Sequence, residues 1–172
     1  ESGYLYEVDT NVNSLNAEAD FNSSQSFISK SMASKPVGIG KPLVAICTAT
    51  RSKTGWNTVN TTIVQQVLIP SLVQSITSEE REKYEFALYF TIDDDDKFWV
   101  DQIKTLRTPI WLRLAYKIVT SSDRIPYNEV TQFAFNDNAA YISRITDDVE
   151  YISKGWVTEA VKALDGYSPP NV

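Results

Sequence analysis

Thr146-Asp147-Asp148-Val149-Glu150 places three carboxylates within four residues, directly after the β-prone run Tyr141-Ile142-Ser143-Arg144-Ile145. Adjacent carboxylates repel each other, so the packet costs stability unless a cation or water screens it. In an extended segment Asp148 and Glu150 point the same way. Oxygen-only ligands suit Mg²⁺, Mn²⁺ or Ca²⁺. A solvated acidic turn is the plainer reading of the same residues. The chain has no histidine and a single cysteine, Cys47. That removes the Ser-His-Asp triad, the Cys-His nucleophile pair, His-based zinc sites and any intrachain disulfide. Acid–base or metal chemistry therefore falls to the 22 Asp and Glu residues.

Two further groups have the residue types for a ligand site. Asp93-Asp94-Asp95-Asp96 follows the apolar run Glu85–Ile92. Asp95 and Asp96 read as an exposed acidic loop, with Asp96 also placed to cap a following helix. Asp93 directly follows the run and should face a ligand. Thr48, Thr50 and Arg51 close an earlier apolar run. Hydroxyls and a guanidinium suit a base, ribose or phosphate, and equally a capping hydroxyl beside a surface arginine.

The elements that must position these groups follow from periodicity. Leu43–Thr50 and Glu85–Ile92 are short continuous apolar runs, which predict strands buried on both faces. Ile110–Val119 alternates, with Leu112, Leu114, Tyr116 and Ile118 on one face, which predicts a half-wetted edge strand. Tyr141–Thr146 is the fourth strand. Apolar positions at helical spacing predict a helix over about 58–78, kinked or divided at Pro70. Further helices are predicted at about 98–106, 126–140 and 156–164, the last stopped by Gly166. Strands alternating with helices give an α/β fold, a Rossmann-like three-layer α/β/α arrangement with a mainly parallel sheet. Ligands in such sheets bind outside the carboxyl ends of the strands. Thr48–Arg51, Asp93–Asp96 and Thr146–Glu150 would then share one rim.

Composition sets the outer bounds. The 172 residues carry a formal net charge of −6. An acidic domain repels a phosphate backbone, which argues against general nucleic-acid binding. No apolar run approaches the ~20 residues of a membrane helix. Residues 1–41 are rich in Ser and Asn and read as a tail or stem, with a short helix hinted at by Phe27, Ile28 and Met32. Residues 42–172 form the domain. The sequons at Asn22 and Asn60 lean toward a secretory route through ER and Golgi, with the cytoplasm left open.

Thr48-Ala49-Thr50-Arg51-Ser52, Tyr89-Phe90-Thr91-Ile92 with the four aspartates, Thr146–Glu150, Gly155-Trp156 and Pro169-Pro170-Asn171 occur in that order. Over residues 43–172 this series resembles the GT-A-type glycosyltransferases of a group found in protists, algae and large viruses. The resemblance implies a nucleotide-sugar-binding half that moves a hexose from a UDP- or GDP-sugar to a glycan or protein acceptor. It implies Mn²⁺ or Mg²⁺ held by Asp148, with Asp147 and Glu150 beside it. It also implies that Asp147 reaches the ribose and that Asp93, flanked by Asp94, contacts the base. Thr48, Thr50, Arg51 and Asn128 would line the nucleotide site. Thr146 stands where Asp or Asn is usual, which implies weaker metal affinity. The resemblance also implies a C-terminally truncated GT-A-like domain that lacks the acceptor half, either as a fragment of a longer enzyme or as a naturally shortened relative. Two other readings stand beside this one: a non-catalytic binding module on the same fold, and a Mg²⁺-dependent phosphohydrolase of the haloacid-dehalogenase kind using Asp93 and Asp95, with Asp147 and Asp148 on the metal. That last class places its nucleophile on the first strand, whereas here a full strand–helix unit precedes Asp93.

Overall fold

The computed structural model describes residues 40–167. Residues 1–39 of the expected stem, with the helix hinted at by Phe27, Ile28 and Met32 and the Asn22 sequon, and Pro169-Pro170-Asn171 lie outside the described residues. Four strands form one all-parallel sheet: β1 Leu43–Thr50, β2 Glu85–Asp93, β3 Leu112–Val119 and β4 Tyr141–Arg144. Their order is β3-β2-β1-β4. The chain steps outward from β1 to β3, then returns to the other side of β1. The reversal leaves a switch point between β1 and β4, where open α/β sheets bind ligands.

Among the described residues five α-helices flank the sheet: α1 Ile69–Ser75, α2 Ser78–Lys83, α3 Lys97–Gln102, α4 Tyr127–Asn136 and α5 Trp156–Asp165. Alternation along the strands divides the core in two. Val44 and Ile46 of β1, with Phe86, Leu88, Phe90 and Ile92 of β2, pack with Leu68, Leu72, Trp99, Ile103, Val157 and Val161. The opposite face carries the small side chains Ala45, Cys47, Ala87 and Ala115 together with Tyr89, packed by Val130 and Ala134 of α4. Small residues there let α4 lie close to the sheet. This is the three-layer α/β/α arrangement expected from the sequence. β3 is an edge strand as expected, wetting toward its end, where Ile118 is 44% exposed.

The helix expected over 58–78, with a kink or division at Pro70, is interrupted just ahead of Pro70. A 3₁₀ turn at Val59–Thr61 and a π turn at Val64–Leu68 precede α1. Pro70 has no amide to give the carbonyl four residues back, and its ring crowds that carbonyl. The backbone widens just before it, and the Ile69 amide bonds to Val64 five residues back. α2 is a separate helix opened by a capping box: the Thr77 hydroxyl accepts from the Glu80 amide, and the Glu80 carboxylate accepts from the Thr77 amide. Among the described residues no helix is long and apolar enough to cross a membrane.

Two buried groups lead to predictions. Cys47 is fully buried on the α4 face, and burial pushes its thiol up to about 12. Since the thiolate is the nucleophile, a thiol reagent at about pH 8 should leave the native protein unmodified and react fully once denaturant is added. Rapid labelling of the native protein would show that this face opens. Tyr89, Arg113 and Asp137 form a second cluster. Arg113 donates to the Tyr89 hydroxyl at 2.6 Å and to Asp137 at 2.5 Å, and Tyr89 also donates to Asp137. Burial alone would raise the Asp137 carboxyl, but Tyr89 and Arg113 outweigh it and hold it below the usual range. A depressed carboxylate contributes stability above its unfolded pKa of about 3.9 and loses it as pH falls through the folded value. The thermal midpoint should therefore fall below about pH 4, and Asp137→Asn should flatten that part of the pH profile.

Candidate functional site

β1 ends at Thr50, opposite Ile92, so Arg51 follows beside Asp93, the last residue of β2. The Arg51 guanidinium bridges Asp93 and Asp95, each at 2.8 Å. β4 stops earlier, with Arg144 opposite Cys47. The Ile145 amide still bonds to the Cys47 carbonyl, which carries the next turn up beside β1. There Thr50 donates to Asp147 Oδ2 at 2.7 Å, across the switch point. Lys53 Nζ lies 3.8 Å from Asp147 Oδ1. Asp148 accepts from the Thr146 hydroxyl at 2.6 Å, and that bond holds its carboxyl below the usual range.

These groups surround a cleft of about 400 Å³, closed on the far side by Ser122–Tyr127 between β3 and α4. The volume suits a small ligand. Arg51, Lys53 and Arg124 face four carboxylates, Asp93, Asp123, Asp147 and Asp148, so the lining has a net charge of −1. Arg124 is paired with Glu129 at 2.6 Å. Ile125 and Tyr127 supply an apolar wall. Burial raises the Tyr127 hydroxyl, and the Asp147 charge raises it further. Asp93 is 7% exposed, and its Oδ1 is buried without a hydrogen-bond partner. A buried acceptor left unmade is costly.

Thr50, Arg51, Asp93, Asp147 and Asp148 therefore come together on one cleft. Other expected site residues do not. Thr48 is fully buried beneath the helical layer, its hydroxyl turned to the Ala49 carbonyl. Asp94 is exposed and accepts from the Ser121 amide at 3.0 Å, fixing the loop after β3 instead of facing the cleft. Asn128 is exposed on the first turn of α4, and its neighbour Tyr127 lines the cleft in its place. Asp96 is not in an exposed loop: it is 4% exposed, accepts from the Ser52 amide at 2.6 Å, and caps α3 through the Trp99 amide.

Glu150 is exposed and off the cleft. The expectation that it shares a face with Asp148 assumes an extended segment, but Asp147 and Asp148 form a turn. Among the described residues no three His, Cys, Asp or Glu side chains group closely enough to hold a metal ion. The three-carboxylate set of Asp147, Asp148 and Glu150 is thus reduced to Asp147 and Asp148 at the cleft. Lys53, Arg124, Ile125 and Tyr127 carry no signal in the sequence beyond lying in polar connections. The Asn60 sequon lies on an exposed turn, and its Thr62 is buried against the Val59 carbonyl.

No family model matches this chain, and neither does a curated protein or a solved structure.

Proposed function

We propose that the cleft binds a nucleoside diphosphate sugar together with a divalent cation, as the donor-binding part of a glycosyltransferase that passes a hexose to a glycan or protein acceptor. The observation that carries this reading is the meeting of Arg51, Asp93, Thr50 and Asp147 on one cleft at the switch point. A base or ribose offers N–H and O–H donors to the carboxylates that line it. Ile125 and Tyr127 give the flat part of such a ligand an apolar surface. Thr50 and Lys53 orient Asp147 beside the position a diphosphate would take.

The donor set fits Mn²⁺ or Mg²⁺ in one specific way. Mg²⁺ sites commonly use one or two carboxylates and complete their shell with substrate phosphates and water. Asp147 and Asp148 are the two residues that would hold the ion. When bound, it would neutralise the charge on the leaving diphosphate. The same count explains why neither ligand should bind well alone. Two carboxylates make a poor cage, and a cleft of net charge −1 repels a bare diphosphate.

Amide NMR with UDP or GDP and Mg²⁺ tests the location. The reading expects shifts at Thr50, Asp93, Tyr127 and Asp147. Shifts confined to other regions, or none at saturating ligand, would overturn it.

A further inference from the structure

At the opposite end of the sheet a second cleft, of about 290 Å³, opens beside the starts of β1 and β3. Lys41, Arg81 and Arg113 line it, with Glu85 as the one carboxylate among its lining residues. That is an excess of two positive charges in a chain whose net charge is −6. Arg113 is engaged by Tyr89 and by Asp137, whose carboxylate offsets its charge, so Lys41 and Arg81 carry the site. Arg81 is held differently. Its guanidinium lies 5.0 Å from the Trp111 ring centroid, and its Nε donates to the Thr77 carbonyl at 3.3 Å. Lys41 Nζ donates to the Arg81 carbonyl at 3.0 Å. Among the described residues neither Lys41 nor Arg81 forms an ion pair within 4.0 Å of a carboxylate, though the Arg81 charge is felt by Glu79.

A guanidinium fixed by stacking, with its terminal nitrogens free of carboxylates, is prepared for a bidentate oxyanion. The ammonium beside it adds a second charge, which favours a dianion over a single carboxylate. Tyr84 and Trp111 leave an apolar wall for the rest of the molecule. We propose that this cleft binds the phosphate group of a small phosphomonoester, at a site separate from the switch-point cleft.

Titration of the full chain with glucose 6-phosphate, inorganic phosphate and glucose, followed by amide NMR and tryptophan fluorescence, tests the site. Both phosphates should shift the amides around Arg81 and Trp111, with Kd of about 1 mM or tighter for the ester. Glucose alone should do nothing. Arg81→Gln should weaken binding by about tenfold or more, and Arg81→Lys by less, because the charge remains while the fork is lost. Lys41→Gln changes an exposed side chain and should cost about threefold with the fold intact. Asp93→Asn, in the other cleft, should leave phosphate binding unchanged. Absence of phosphate binding would overturn the proposal, as would wild-type affinity in both the Arg81→Gln and Lys41→Gln variants. Equal binding of glucose would also overturn it, by showing that the phosphate is not what is recognised.

Discussion

Asp147→Asn is expected to weaken metal-assisted nucleotide binding by about 100-fold or more, with the fold unchanged. The side chains are nearly the same size, and the amide oxygen can still accept from Thr50, which donates at 2.7 Å in the native protein. What is lost is the negative charge on the one carboxylate that links the β1 end to the turn after β4. Lys53, 3.8 Å away, would then face a neutral group and oppose a cation in that place. Asp148→Asn should cost less, because Asp148 is exposed and held only by its neighbour Thr146. Glu150→Gln should leave affinity within about twofold, since Glu150 is off the cleft. Calorimetric titration with Mn²⁺ present, alongside circular dichroism, separates the three variants. A large loss from Glu150→Gln with a small loss from Asp147→Asn would reverse the assignment.

Glu80→Ala is expected to destabilise the domain by about 3 kcal/mol, a large part of the usual 5–15. Glu80 is 1% exposed. One carboxylate oxygen accepts from the Thr77 amide at 2.9 Å, at the start of α2. The other accepts from the Thr158 amide at 2.7 Å, in the first turn of α5. A single buried carboxylate thus satisfies orphan amides at two helix starts, where negative charge is also favoured by the helix dipoles. Alanine leaves both amides unmet and a space behind. Glu80→Gln keeps one acceptor and should cost about half as much. Urea unfolding monitored by tryptophan fluorescence measures both. The effect reaches the cleft, because α5 anchors the far end of the segment that carries Asp147 and Asp148. The Gly155 amide, bonded to the Ser75 carbonyl at 3.0 Å, is the second tie on that segment.

The sheet is the most legible part of the chain. β1 and β2 are apolar on both faces, and runs that short suit a strand covered on both sides better than a helix. The edge position of β3 follows from its alternation. The segment before β2 departs from the expected helix because a summed apolar spacing hides where the backbone must change. Pro70 forces the π turn, and the Thr77-x-x-Glu80 capping box, visible in the sequence, opens α2 just where the expected helix ends. The site is half legible. Asp93, Thr50, Arg51, Asp147 and Asp148 follow from strand ends alone. Thr48 and Thr50 share a face of β1, yet only Thr50 rises above the helical layer. Where that layer stops is a property of packing, which no local pattern records. Asp148 and Glu150 share a face only if the chain stays extended, and it turns. Ser122–Tyr127 follows β3 in sequence, with two strands between β3 and β4, and reaches the cleft because the chain there crosses back over the sheet.

A nucleoside diphosphate and a divalent cation are expected to bind the switch-point cleft together, and calorimetric titration of UDP and of GDP, in excess Mn²⁺ and again in EDTA, decides whether they do. The predicted result is saturable binding of at least one nucleotide with Mn²⁺ and a loss of about tenfold or more in EDTA. Absence of binding by both nucleotides in Mn²⁺, or equal affinity with and without the metal, would contradict it.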